Sequence, residues 1–87
     1  MSVATNMTVC IIEYCLEHAT RENKSYCVWA SEEIIRELQI MDESPPLPIL
    51  ENFRDKMAEY ETYNPQTKII FQTARLFTDW VINLLIA

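Results

Sequence analysis

The chain contains no glycine in its 87 residues, whereas glycine makes up about 7% of an average protein. Tight β-hairpin turns, β-bulges and phosphate-binding loops rely on glycine because they need positive φ angles. Helices, by contrast, can be capped and connected with Ser, Asn and Pro. The composition therefore predicts an all-α fold and counts against an all-β domain or a nucleotide-binding loop.

Length and hydrophobicity predict a single helical domain that spans residues 1–87. Hydrophobic residues make up 49% of the chain, which is too many for a disordered segment. A domain this short buries only about 60–65% of the surface that it exposes when unfolded. A folded monomer is thus expected to be only marginally stable, and association would stabilise it.

Residues 69–86 form the most apolar segment, with twelve apolar or aromatic residues among eighteen. Wound as a helix at about 100° per residue, these side chains cover roughly 240° of the circumference. The firmly polar strip consists only of Gln72, Arg75, Asp79 and Asn83. A surface helix of a small domain needs an apolar stripe of about 100°. Neighbouring helices or a second molecule must cover the excess.

The first helix is predicted over residues 5–22, with Glu17 and Arg21 spaced for an ion pair one turn apart. Two apolar stripes run along it at helical spacing. The stronger stripe comprises Val9, Ile12, Cys15, Leu16 and Ala19. The softer stripe beside it comprises Met7, Ile11, Tyr14 and His18.

The second helix is predicted to begin at Ser31 as its N-cap and to end at Asp42–Ser44. Its expected inward side chains are Ile34, Ile35, Leu38 and Met41. Before it, residues 25–29 gather β-branched and aromatic side chains over a strand-like length. We predict a short extended segment there, which packs across one end of the domain or pairs with another subunit.

The third helix follows a proline-rich entry at residues 45–48, since prolines are tolerated in a first helical turn. Its expected inward stripe is Leu50, Phe53, Met57 and Tyr60. Asn64 is predicted to cap the fourth helix, with Pro65 at its first position. So short a connection makes helices three and four antiparallel neighbours. The expected architecture is a small four-helix bundle with the C-terminal helix at its centre.

The net charge of −6 is concentrated in residues 42–61, whose balance is −4 (six acidic and two basic residues). No basic patch is present, so direct binding to nucleic acid or to an anionic membrane surface is not expected. Arg75 and Asp79 interrupt the C-terminal apolar run, which argues against a membrane span. Three cysteines cannot all pair within one chain, and unpaired thiols fit a reducing compartment. We therefore expect a cytoplasmic protein.

No constellation of residues predicts catalysis, a cofactor or a metal site. Cys15 and His18 lie three residues apart, but a zinc site needs about four ligands. Cys10 is predicted to point to a different face, and Cys27 stands apart. A nucleophilic cysteine would need an adjacent base, an orienting group and oxyanion donors. We expect a protein that is not an enzyme.

Two functions remain open. The first is a helical protein–protein interaction or assembly module, expected to be a homodimer, with an unidentified protein as a further possible partner. The second is an acidic inhibitor that imitates nucleic-acid phosphates through Glu51, Asp55 and Glu59. For the first function, the predicted interface residues are Ile69, Leu76, Trp80, Asn83, Ile11 and Tyr14. The competing interpretation of the apolar excess is that helix four is enclosed by its own bundle.

Overall fold

The structure, a computed structural model, describes residues 3–41 and 45–86. These residues form four helices, which are α1 (Val3–His18), α2 (Lys24–Gln39), α3 (Leu47–Tyr60) and α4 (Lys68–Ile86). No strand occurs in this part of the chain. The prediction of a small all-α, bundle-like domain is confirmed.

Helix α4 lies at the centre of the bundle, because it packs against α1, α2 and α3. Helices α3 and α4 run antiparallel, as predicted. Leu50, near the start of α3, shares a core cluster with Val81 and Ile82, near the end of α4. At the other end, the rings of Tyr60 and Phe71 are 5.1 Å apart. The inward stripe predicted for α3 is confirmed, with Leu50, Phe53 and Met57 buried and Tyr60 half-buried.

Helix α1 turns the softer of its two apolar stripes inward, so Ile11, which was predicted at the interface, is buried. Met7 and Ile11 of the softer stripe are each only 1% exposed, whereas Val9, Ile12 and Leu16 of the stronger stripe are exposed. The two stripes lie side by side and are similarly apolar, so periodicity alone does not choose between them. Packing decides, since the longer Met7 side chain reaches α4, where its Sδ accepts a weak hydrogen bond from Thr78 Oγ1 at 4.0 Å.

Helix α2 begins seven residues before the predicted start, and the extended segment predicted at residues 25–29 is wrong. These residues form the first turns of α2, and Ser31 lies inside the helix, where its hydroxyl donates to the Val28 carbonyl oxygen. Cys27 and Ala30 are buried on the same face as Ile34 and Leu38. Burial of this face overrides the local β-propensity of the segment. The predicted end at residues 42–44 lies outside the described residues.

Asn23 closes the α1–α2 connection without glycine. Its Oδ1 accepts from the Thr20 backbone N–H, and its Nδ2 donates to the His18 carbonyl oxygen at 3.3 Å. Helix α1 therefore ends at His18, four residues before the predicted end, and Arg21 is not one helical turn beyond Glu17. Among the described residues none has a positive φ angle. The side-chain hydrogen bonds of Asn23 thus close this connection without a residue in the left-handed region.

The α3–α4 connection also depends on an asparagine. Asn64 Oδ1 accepts from the Gln66 N–H at 2.8 Å. Residues 65–67 form a turn, so α4 begins at Lys68 and not at Pro65 as predicted. The proline-rich entry to α3 is as expected, with Pro46 just before the helix and Pro48 in its first turn.

Candidate interaction surface

One side of α4 presents a row of exposed apolar side chains, which we call the α4 outer face. It consists of Ile69, Leu76, Trp80 and Leu84, which are 50%, 52%, 58% and 58% exposed. The spacing of seven, four and four residues keeps them on one side of the helix. The opposite side holds the buried residues Ile70, Phe71, Ala74, Thr78, Val81 and Ile82. Helix α4 is therefore both the central core element and an exposed apolar surface.

The predicted interface residues separate into two groups in the structure. Ile69, Leu76, Trp80 and Asn83 are exposed on one side of α4. Ile11 is 1% exposed and belongs to the main core cluster, so it contributes nothing to an exposed surface. Tyr14 is half-buried beside this cluster, and its ring lies 4.2 Å from that of His18.

Leu84 belongs to this surface, although the sequence analysis did not single it out. It follows Trp80 by one helical turn and is equally exposed. Its position four residues after Trp80 could have predicted this placement, because residues four apart share a helix face. Leu85 and Ile86 continue the exposed apolar surface around the end of the helix.

Trp80 is anchored to the bundle through its neighbour Phe77. The two rings meet edge to face, with centroids 5.7 Å apart and planes at 60°. Phe77 is half-buried and packs against both core clusters. The indole ring therefore rests on a fixed apolar base while most of it stays accessible. Exposed tryptophans held in this way are typical of binding hot spots.

A line of charged side chains fixes the boundary between α4 and α3. Arg75 Nη1 contacts Asp79 Oδ2 at 3.4 Å, which confirms the predicted spacing along the helix. Arg75 Nε also donates to Glu61 Oε2 at 2.5 Å, and Arg54 Nε lies 3.8 Å from Asp79 Oδ1. The hydrogen bond that Arg75 donates to Glu61 raises the pKa of Arg75 above its ordinary value. These contacts hold α4 in a fixed rotation, which keeps its outer face turned away from α3.

The acidic side chains of α2 and α3 are partly neutralised within the domain. Glu33 pairs with Arg36, and Glu37 accepts from Lys56, each at 2.6 Å. Along the predicted phosphate-mimicking row, Asp55 lies beside Arg54 at 3.2 Å. Glu59 of the same row accepts a hydrogen bond from the Tyr63 hydroxyl at 2.7 Å. Much of the negative charge is thus engaged by neighbouring side chains.

Within residues 3–41 and 45–86, no group of three or more His, Cys, Asp or Glu side chains is placed to hold a metal ion. His18 Nε2 lies 4.0 Å from Glu17. The Cys15 thiol turns instead towards α2, where it contacts the Cys27 carbonyl oxygen at 3.7 Å. The geometry therefore does not join Cys15 and His18 in one site.

Among the described residues, α4 is the one helix long and apolar enough to cross a membrane by length and composition. The core helix of a soluble protein meets the same criterion. In this bundle α4 buries a third of that segment and forms ion pairs with α3 through Arg75 and Asp79.

Comparisons with protein-family models, with curated proteins and with solved structures find no match to this chain.

Proposed function

We propose that this protein is a non-enzymatic protein–protein interaction module that forms a homodimer through the α4 outer face. The observation that carries the proposal is the row of four large apolar residues, each at least half exposed, on the central helix. Single exposed apolar residues are common on proteins, but several on one helix face mark an interaction site. Here Leu76, Trp80 and Leu84 lie at successive turns, and Ile69 lies two turns before them. A cytoplasmic location, in keeping with three free cysteines, belongs to the same proposal.

The area of this surface supports a second copy of the chain as the partner. The four residues of the α4 outer face expose on the order of 500 Å², the size of an apolar patch that marks an interaction site. A standard protein–protein interface buries about 800 Å² on each partner. In a two-fold dimer the same patch is used twice, so one helix face with its surroundings is sufficient. Burial of this surface would also stabilise a domain that is small for an independent fold.

The residues of the surface suit a symmetric contact. Trp80, which lies between Leu76 and Leu84 along the row, supplies a large ring for the middle of an interface. Asn83 adds an amide that can both donate and accept hydrogen bonds, so two copies can pair through the same group. Arg75 and Asp79 lie towards α3, where they leave the apolar row free of charge.

The alternative function, an acidic inhibitor of a nucleic-acid-binding protein, has weaker support. Phosphate mimicry needs a dense row of unpaired carboxylates, because the target presents a basic groove. Here Glu33, Glu37 and Glu61 each form an ion pair within the domain. The carboxylates of Glu51 and Glu59 have no cationic partner among the described residues, so these two residues are the remaining support for phosphate mimicry.

Salt tests whether the dimer interface is apolar. We expect the light-scattering mass of the protein to stay at the dimer value, or to rise towards it, as salt increases from about 0.05 M to 1 M. Apolar contacts are not screened by salt, whereas contacts between exposed charges weaken once the Debye length falls to about 3 Å. Dimers that dissociate at high salt would contradict an apolar interface. Charge reversal at Glu51 and Glu59 is the matched control, and it should leave the dimer intact.

A further inference from the structure

A groove between α1 and α2 brings two of the three cysteines together. It has a volume of about 230 Å³ and is lined mainly by apolar side chains. Its walls include Ile12, Leu16, Ala19, Val28, Cys15 and Cys27. Cys10, the third cysteine, is half-buried on α1 and does not line the groove.

The contact between the two cysteines is direct. The Cys15 thiol donates to the Cys27 backbone carbonyl oxygen at 3.7 Å. A disulfide requires Cα atoms about 4.4–6.8 Å apart and Cβ atoms about 3.5–4.5 Å apart. The Cys15 thiol already contacts the Cys27 backbone, and both residues line the same groove, so a disulfide between them would require the two side chains to rotate towards each other.

We infer that Cys15 and Cys27 form a dithiol site that a peroxide oxidises to a disulfide between α1 and α2. This inference does not depend on the proposed dimer, because neither cysteine lies on α4. Cys15 is half-buried and opens to the groove, so it meets the oxidant first. Cys27 is 4% exposed and acts second, as the resolving thiol.

The reaction balances as the oxidation of two thiols by one peroxide. The Cys15 thiolate attacks a peroxide oxygen, which forms an S–O bond, breaks the O–O bond and releases hydroxide. The Cys27 thiolate then attacks the Cys15 sulfur, forming the S–S bond while the S–O bond breaks and a second hydroxide leaves. The two protons lost by the thiols convert both hydroxides to water. The thiols lose two electrons and the peroxide gains them.

The surroundings of the site make this a slow reaction at neutral pH. Burial raises the pKa of the Cys15 thiol, and the nearby Cys27 raises it further, while a hydrogen bond from Ser31 opposes both effects. Tyr14 and Lys24 are the other titratable side chains at the groove. Because the thiolate is the reactive form, the rate increases with pH through the ordinary thiol range and beyond it.

Non-reducing peptide mapping tests the inference. The Cys10→Ser variant is treated with hydrogen peroxide at a pH near 8.5, close to the ordinary thiol pKa, blocked with N-ethylmaleimide and digested with trypsin. Trypsin cleaves after Arg21 and Lys24, so Cys15 and Cys27 fall in different peptides. We expect most of the protein to yield one linked peptide pair, which reduction separates, while the intact chain keeps a monomer mass on a denaturing gel.

The Cys15→Ser variant, which retains Cys10 and Cys27, is the matched control and should give no intramolecular link. A link of equal yield in this control would overturn the inference, because it would reflect unspecific oxidation. Two alkylated thiols, or two thiols oxidised to sulfinic acids without a link, would also overturn it. Both variants keep a serine close in size to cysteine, so far-UV circular dichroism before oxidation verifies that each is folded.

Discussion

The Leu76→Asp variant is expected to be monomeric at concentrations where the wild-type protein is a dimer. Leu76 is 52% exposed on the α4 outer face, so the substitution removes no core contact. In the proposed dimer it would place two carboxylates in an apolar interface, and burial of an unpaired charge is costly. We expect the dissociation constant to rise by at least about 100-fold, which corresponds to about 2.8 kcal/mol. Light scattering gives the mass, and circular dichroism gives the helix content.

Ile40→Asp is the matched control for this variant. Ile40 caps the end of α2 and is 80% exposed, so the same change from an aliphatic side chain to a carboxylate is made away from α4. The control should keep the dimer mass and the helix content of the wild type. If both variants dissociate equally, the effect comes from general charge repulsion and the α4 outer face is not the interface. If Leu76→Asp remains dimeric, another surface forms the contact.

The Phe71→Ala variant is expected to lose about 3–5 kcal/mol of unfolding free energy. Phe71 has 0% exposure. Its ring centroid lies 6.0 Å from that of Trp29 in α2 and 5.1 Å from that of Tyr60 in α3. Truncation removes the side chain that joins three helices and leaves a cavity among them. Domains of this size have a total stability of about 5–10 kcal/mol, so the variant should unfold at a much lower urea concentration than its parent.

Urea denaturation followed by circular dichroism measures this loss. The Phe71→Ala substitution should be measured in the Leu76→Asp variant, because the stability of a monomer does not depend on protein concentration. Trp80→Ala in the same background is the control, since it removes a larger ring that is 58% exposed. It should cost about 1 kcal/mol or less. Equal losses of unfolding free energy in the two variants would contradict the placement of Phe71 on the buried face of α4 and of Trp80 on its exposed face.

The sequence predicts the inward face of α3 because a single signal dominates it, whereas for α4 it predicts only an apolar excess. In α3 the apolar positions form one narrow stripe, opposed by charged residues, and the structure buries that stripe. In α4 the apolar residues surround most of the helix, so the sequence establishes an excess without showing which part is buried. Only the packing of α3 on the Arg75 side decides that Ile70 and Phe71 face inward and that Leu76 and Trp80 face outward.

Helices α1 and α2 show where reasoning from the sequence fails. In α1 two apolar stripes of similar strength lie side by side, and the choice between Ile11 and Ile12 as the buried position depends on contacts with α4. In α2 the local preference of residues 26–29 is extended, but helix formation buries Cys27 and Ala30 against the core. Both errors have the same physical origin, because tertiary burial outweighs local preferences that differ by about 1 kcal/mol or less.

The exposure of Ile12 and Leu16 is a direct consequence of the orientation of α1. Both residues belong to the stronger apolar stripe, and the structure places them beside the α1–α2 groove. The proximity of Cys15 to Cys27 was likewise not predictable, since residues 25–29 were expected to be extended. A contact between side chains of two helices depends on the rotation of both, and neither rotation follows from local sequence.

The most direct test of the proposed dimer is the mass of the wild-type protein in solution. Light scattering measures this mass at concentrations from about 10 μM to 1 mM, a range that brackets the dissociation constants of weak to moderate dimers. The account predicts a mass of about 20 kDa, which is twice the 10.2 kDa of one chain, over the upper part of this range. A mass of 10.2 kDa at every concentration would contradict it, and the α4 outer face would then have no role in self-association.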